Sequence, residues 1–317
     1  MTTATSVTCP ACSFEQDDAG DSCVRCGVIF AKVRSGPPPP RPSIPLPIDL
    51  SLIEDGVAGK PWKMIGVGLV VAVIAHLLPF TRFILSPLVT LLHEFGHAVA
   101  AWLLGCPAIP SFDFVYGGGV THHKYFQLPL GIAIGGAWVW LGWTFRRNPR
   151  TLSLIVVCAA AWLVAISSEW RREVVISSMG HGGELILAGV LLYMALAGVG
   201  WRMPEIERPL GAFAAFFVQI QTMHFAWQLR NDASFLDWYR EGKGGAMMND
   251  LEVIALDLKI WTGWALDIEQ VAGWLLAFSL VPVGAALVLF VFRERVNGFA
   301  RSLLRLEPDR VSYPSGS

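Results

Sequence analysis

The sequence predicts an all-α polytopic membrane protein of about six to eight spans. A small cysteine-bearing module precedes the first span, and a short β-rich insertion interrupts the membrane part. Three observations carry this prediction. Hydrophobic residues make up 54% of the 317 residues and charged residues only 15%, where a soluble domain carries about 25% charged residues. Mean hydropathy is +0.51, and the 13 tryptophans suit a chain with two membrane interfaces, where Trp gathers. Apolar segments of roughly 17–25 residues, the length that crosses a hydrocarbon core of about 30 Å, recur at 64–80, 84–105, 127–145, 151–167, 183–201, 209–229 and 266–292. The same composition argues against a soluble globular enzyme and excludes a wholly disordered chain. A net charge of -1 leaves no basic field for nucleic acid.

The N-terminal module spans residues 1–34. Cys9, Cys12, Cys23 and Cys26 form two C-x-x-C knuckles separated by ten residues, and Gly27 after the second suits a tight turn. Four thiolates presented in this way match the tetrahedral, sulfur-rich coordination of a structural zinc ion. Two disulfides or a pair of redox thiols are the alternatives. Residues 1–22 are polar and contain no apolar signal-peptide core, so the module is expected in the reducing cytoplasm. Cys106 and Cys158 stand alone in apolar surroundings. A proline-rich stretch over 35–48 reads as a stiff spacer within a linker over 35–59. The membrane domain is expected over 60–292, with a cytoplasmic tail over 293–317.

Arg146, Arg147 and Arg150 form one basic cluster, and Arg293, Arg295, Arg301 and Arg305 another. The positive-inside rule places both in the cytoplasm, and the apolar segments between them allow four crossings. Counting back from the first cluster gives three crossings, which would put the cysteine module outside. The thiol chemistry is the stronger guide. Either one early segment does not cross fully, or residues 106–126 dip into the membrane and return. The expected location is the bacterial cytoplasmic membrane.

Residues 91–105 read LLHEFGHAVAAWLLG. His93, Glu94 and His97 form H-E-x-x-H, and residues four apart on a helix share a face, so both imidazoles can reach one ion. Glu94 can then lie beside the ion's open position, take a proton from an attacking water and deliver it to a leaving amine. Polar groups in an apolar helix are expensive and point to function. The alternative is a buried His–Glu–His hydrogen-bond cluster. Gly96 and Ala98 are small enough to let a second helix approach closely.

An H-E-x-x-H inside a membrane helix, in a stretch so close to L-x-H-E-x-G-H-A, resembles the site-2 protease family of intramembrane zinc metalloproteases. The resemblance covers about residues 60–292 and leaves out the cysteine module and the linker. It implies that His93 and His97 bind zinc, that Glu94 is the general base, and that an Asp from a later helix is the third ligand. It also implies a strand-rich insertion after the H-E-x-x-H helix. The family's Asp-Gly context for the third ligand is missing here. Asp250, in GGAMMNDLEVIA, is the first choice, since divergent members carry a Gly-rich turn followed by Asp at a helix start. A carboxylate there is also favoured by the helix dipole, although Asp250 could simply cap its helix. Glu184, in MGHGGELILAG, is the rival ligand, because zinc accepts Glu as well as Asp. Asp237, Asp232 and Asp113 are lesser candidates.

Residues 112–121, FDFVYGGGVT, could offer an edge strand to an extended substrate segment, or form a flexible interfacial loop. His122 and His123 read as interfacial side chains. Gln221 and His224, three apart in the segment 209–229, could line a water path or make interhelical hydrogen bonds.

The expected function is therefore zinc-dependent hydrolysis of a peptide bond in or near the membrane, with one catalytic and one structural zinc. Its partners would be the bilayer, a membrane protein or peptide substrate, and a cytoplasmic protein bound by the N-terminal module. The alternatives are a non-catalytic membrane adaptor that recruits partners through that module, and a zinc hydrolase acting on a non-peptide substrate.

Overall fold

The computed structural model describes residues 7–9, 11–17, 21–30, 60–112, 119–241 and 248–304. The chain divides into two units, Met1–Ser51 and Leu52–Ser317. In the first, strands β1 (Val7–Thr8) and β2 (Glu15–Gln16) pair antiparallel. Each cysteine pair sits on the same kind of turn. Ser13 N–H donates to Cys9 O at 2.9 Å, and Gly27 N–H donates to Cys23 O at 2.8 Å. The residue after each pair, Ser13 or Gly27, has positive φ, so a glycine relieves the strain in the second turn.

Among the described residues, the second unit is helical apart from one hairpin. Helices α1 (Lys60–Leu77) and α2 (Pro79–Leu103) precede strands β3 (Ala108–Phe112) and β4 (Gly119–His123). The chain continues with α3 (Leu128–Thr144), α4 (Pro149–Ile166), α5 (Glu169–Ala197) and α6 (Pro204–Asn231). It ends in α7 (Ala233–Glu241), α8 (Asp250–Thr262), α9 (Ile268–Phe278), α10 (Leu280–Val291) and α11 (Arg293–Leu304). Each expected apolar segment is helical for most of its length, although 64–80 ends in the first residues of α2 and 266–292 covers both α9 and α10; the expected β-rich insertion is the antiparallel hairpin β3–β4, with Pro110 opposite Thr121. Residues 113–118, which hold Asp113 and most of the proposed substrate strand, lie outside the described residues, as does the linker.

Among the described residues, four helical stretches are long and apolar enough to cross a membrane: Pro79–Leu103, Pro149–Ile166, Glu169–Ala197 and Ile268–Val291. Pro61–Leu77 and Leu128–Thr144 are shorter apolar helices. In α6 the apolar run is broken by Gln219, Gln221, His224 and Gln228. The outward faces support a membrane protein. Val139, Trp140 and Trp143 on α3 and Val156, Val157, Leu163 and Val164 on α4 are all exposed, a patch that water would not tolerate. The turn after α3 and helix α11 lie together. Asn148 donates to Ser302 O at 2.8 Å, and Thr151 donates to Leu303 O at 2.7 Å. The end of α11 therefore packs against the turn and helix start that carry Arg146, Arg147 and Arg150, and the first part of the expected tail is a helix bound to the unit.

The core is built from small, aliphatic and aromatic residues of α1, α2, α5, α6 and α10, including Ala72, Val89, Ala188, Leu192, Ala212, Phe217 and Phe290. A second cluster joins Leu229 of α6 to Leu236, Tyr239, Leu251, Ala255 and Val271. It holds the short amphipathic helices α7 and α8 against the bundle. Helix α5 begins well before residue 183, where the sequence suggests a span. Ser177, Gly180, His181 and Glu184 all lie within the helix, where Gly180 and Glu184 face α2.

Candidate metal centre

Three elements converge on the H-E-x-x-H turn of α2. Helix α5 crosses it closely, because a Cβ at Gly96 would overlap the carbonyl oxygen of Met179. Gly180 is tighter in its consequence. A Cβ there would stand 2.5 Å from His97 Nε2 and from His93 Cε1, so only glycine lets α5 pass beside both imidazoles. Helix α8 then delivers Asp250. Its Oδ2 lies 2.8 Å from His93 Nε2 and 3.1 Å from His97 Nε2. The two Nε2 atoms stand 3.0 Å apart.

Asp250 does not cap its helix. The N-cap is Asn249, whose N–H donates to Glu252 Oε2 at 2.8 Å. Its side-chain amide donates to Tyr239 O. The Asp250 carboxylate is thereby left to face the histidines. Burial raises the neighbouring Tyr239, which stays a neutral phenol. Asp232 is a helix-start residue, since its Oδ1 accepts from Ser234 N–H at 3.0 Å and Phe235 N–H at 3.2 Å. The glycines before Asn249 lie outside the described residues.

The far side of each imidazole is also occupied. His97 Nδ1 lies 2.7 Å from Ile176 O. A carbonyl only accepts, so the proton sits on Nδ1 and Nε2 presents a lone pair. His93 Nδ1 lies 2.8 Å from Glu184 Oε1, which directs its Nε2 lone pair inward in the same way. Two lone pairs and a carboxylate oxygen thus point at one another, an arrangement that a cation between them satisfies. Tetrahedral coordination with bonds of 2.0–2.1 Å would separate such ligand atoms by about 3.3 Å, within half an ångström of the observed spacings. The donor set fits a metal ion, and both histidines have the outward hydrogen bond expected of metal ligands.

Glu184 therefore stands behind His93, on the opposite side of the ring from Asp250. Its Oε2 accepts from Thr222 Oγ1 at 2.7 Å and lies 3.2 Å from His181 Nδ1. With His93 and His181 it also forms a group whose ligand atoms lie within 4.8 Å of one another. Thr222 faces this site, whereas Gln221 and His224 do not share its direction. His224 packs on His76 with ring centroids 5.0 Å apart and lies 3.2 Å from Arg82 Nη2.

Glu94 is 4% exposed and is covered by β4. Thr121 Oγ1 lies 2.6 Å from Glu94 Oε2 and 3.0 Å from Glu94 O. A Cβ at Gly119 would overlap the same carboxylate. His123 at the end of β4 meets Glu173 of α5, Nε2 to Oε2, at 3.4 Å. Nothing in the sequence separates Thr121 from an ordinary strand threonine, nor marks Ile176 as the acceptor for His97.

In the N-terminal unit, Cys9 Sγ lies 3.7 Å from Cys26 Sγ and Cys12 Sγ lies 3.6 Å from Cys23 Sγ. All four sulfurs lie within 4.8 Å of one another. Tetrahedral metal–sulfur bonds of about 2.3 Å would set edges of about 3.8 Å, so the cluster is consistent with a metal ion. Burial pushes the Cys23 thiol up. Backbone N–H groups of Cys26 and Arg25, together with the thiols of Cys9 and Cys12, outweigh it and bring Cys23 down to about 6, while at Cys12 the backbone of Phe14 pulls the thiol down but burial and the neighbouring thiols outweigh it and push the thiol up to about 12.

Comparison with protein-family models, curated proteins and solved structures gives no match. The geometry and its chemistry carry the functional reading.

Proposed function

We propose that the protein is an intramembrane zinc metalloprotease of the site-2 protease type, hydrolysing a peptide bond in or near the membrane. The observation that carries this reading is the convergence of His93 Nε2, His97 Nε2 and Asp250 Oδ2 on one point, with both Nδ1 atoms turned onto acceptors. Zinc is the favoured ion because two imidazoles and one carboxylate form its usual catalytic ligand set, which leaves a position open. When bound, it supplies Lewis acidity toward the scissile carbonyl and acidifies water.

The remaining chemistry belongs to the side chains. Glu94 follows His93 directly in the helix, beside the two imidazole ligands, and serves as the base. It takes the proton from the attacking water and returns it to the leaving amine. Thr121 holds the carboxylate by its Oε2, leaving Oε1 to receive that proton. Burial of the site excludes bulk water and strengthens each electrostatic contact. The four cysteines hold a second, structural zinc ion. We place the protein in the bacterial cytoplasmic membrane, with the cysteine module in the cytoplasm as a docking element for a protein partner.

The test is Glu94→Gln, purified in detergent and incubated with tagged single-span membrane proteins. Product formation should fall by at least a hundredfold while metal content stays that of the parent. Normal turnover by the variant would remove Glu94 from the mechanism. Failure of the parent to cut any such substrate, with both metals bound, would favour the adaptor reading.

A further inference from the structure

Glu184 is a carboxylate on a helix apolar enough to span a membrane, and it is 2% exposed. A carboxylate in such a place needs a partner or a function. The direction of its two oxygens is informative. Oε1 is committed to His93 Nδ1 at 2.8 Å. Oε2 takes the Thr222 hydroxyl at 2.7 Å and His181 Nδ1 at 3.2 Å. Thr222 stands on α6, so the carboxylate is held from a third helix. The His181 ring lies against that of His93, with centroids 4.4 Å apart, and Phe225 lies against His181 on its own side.

We propose that Glu184, oriented by Thr222 and His181, is a positioning residue for the metal centre: it fixes the tautomer and ring direction of His93 and so sets how tightly the inner metal is held. This rests on the metal assignment made above to His93, His97 and Asp250. Its basis is the charge-assisted hydrogen bond from a metal-bound imidazole to a carboxylate. That bond raises the basicity of the ligating nitrogen and removes the rotational freedom of the ring. His97 receives the weaker form of the same support from the neutral carbonyl of Ile176. The two ligands are therefore unequal, and His93 is the one whose support a side-chain substitution can remove. The grouping of His93, His181 and Glu184 as ligands of a second ion is less favourable. His93 would have to give up its Nδ1 proton and bridge two cations.

The experiment uses the full chain in detergent, loaded with Co²⁺. The d–d bands of a nitrogen–oxygen site and the thiolate charge-transfer bands of the cysteine site are read separately, and a chelator is titrated in. Glu184→Ala should release the inner cobalt at a ten- to a hundredfold lower chelator concentration and shift its d–d bands. The thiolate bands should hold at the parent value. Glu184→Gln preserves volume and an acceptor oxygen, and should weaken the inner site by roughly threefold to tenfold. Thr222→Val should act in the same direction, with a smaller effect. An inner affinity within twofold of the parent in both Glu184 variants would overturn the proposal, and Glu184→Gln answers the question if Glu184→Ala does not fold. Two inner cobalt ions per chain would also overturn it, by making Glu184 a ligand. His97→Ala is the control for the underlying reading. If it keeps the d–d bands, the metal lies elsewhere and that reading fails, whatever the Glu184 variants do.

Discussion

Thr121 on the hairpin holds the carboxylate of Glu94 on the H-E-x-x-H helix, Oγ1 to Oε2, at 2.6 Å. The two residues are joined by no regular element, and the bond brings the β insertion onto the proposed base. Thr121→Val keeps the shape of the side chain and removes the donor. We expect kcat to fall about tenfold, equivalent to about 1.4 kcal/mol of barrier, with metal content unchanged. Thr121→Ser should recover most of the loss. Turnover of the same single-span substrates, with metal analysis by mass spectrometry, checks both expectations. Parental kcat in Thr121→Val would show that the contact is only packing.

Gly180 passes beside both imidazoles with no room for a methyl group. Gly180→Ala should drive the His93 and His97 rings apart or push α5 off α2, costing about 1–3 kcal/mol through overpacking. The expected outcome is loss of the inner metal together with a lower thermal midpoint in detergent. Gly182 has only the flexible Met179 side chain near its missing Cβ, so Gly182→Ala should be much milder. Equal effects at the two positions would contradict this account of the crossing.

Asp250 is the carboxylate placed against both Nε2 atoms. Asp250→Ala should lower bound metal from two ions per chain to one, while the thiolate site keeps its ion. Metal counting on the purified protein reads this directly. Retention of both ions would remove Asp250 from the ligand set.

The four-thiol cluster lies in a unit distinct from the helices. Deletion of residues 1–48 should therefore leave one metal ion per chain and measurable hydrolysis. Loss of all metal on deletion would show that the two sites depend on each other.

The contact of His123 with Glu173 gives the hairpin a pH dependence whose sign is fixed. The hydrogen bond that His123 donates to Glu173 raises the folded-state pKa of His123 against the opposing effect of burial. A raised histidine contributes its stability fully below the unfolded value of about 6.5 and loses it as pH rises through the folded value. The amides of β4 should accordingly be better protected at pH 6 than at pH 9, after correction for intrinsic exchange. Glu173→Gln should flatten that dependence. Unchanged protection across the range in the parent would show that the pair contributes nothing.

Much of this molecule is written in local sequence. An apolar run of about 20 residues has few alternatives to a membrane helix, and the helices appear where those runs lie. The H-E-x-x-H pattern places two imidazoles on one face through the 3.6-residue period alone, and the C-x-x-C pairs bring their sulfurs together through two short turns. Asp250 was nameable because glycines precede it and an apolar helix-like run follows it, the context that the resemblance implies for a third ligand. What the tertiary structure decided is which distant groups meet these local features. The order of Asp250 and Glu184 around His93 depends on how α5 and α8 cross α2, and a one-dimensional pattern carries no crossing angle. The sequence suggests a span only from 183, yet the helix already runs through 177–184, where Glu184 finds His93 and Thr222 on neighbouring helices and Gly180 opens the space for the imidazoles. Thr121 and the carbonyl of Ile176 were invisible for the same reason. A hydroxyl on a strand and a backbone oxygen on a helix are chemically anonymous until packing sets them against a carboxylate and an imidazole.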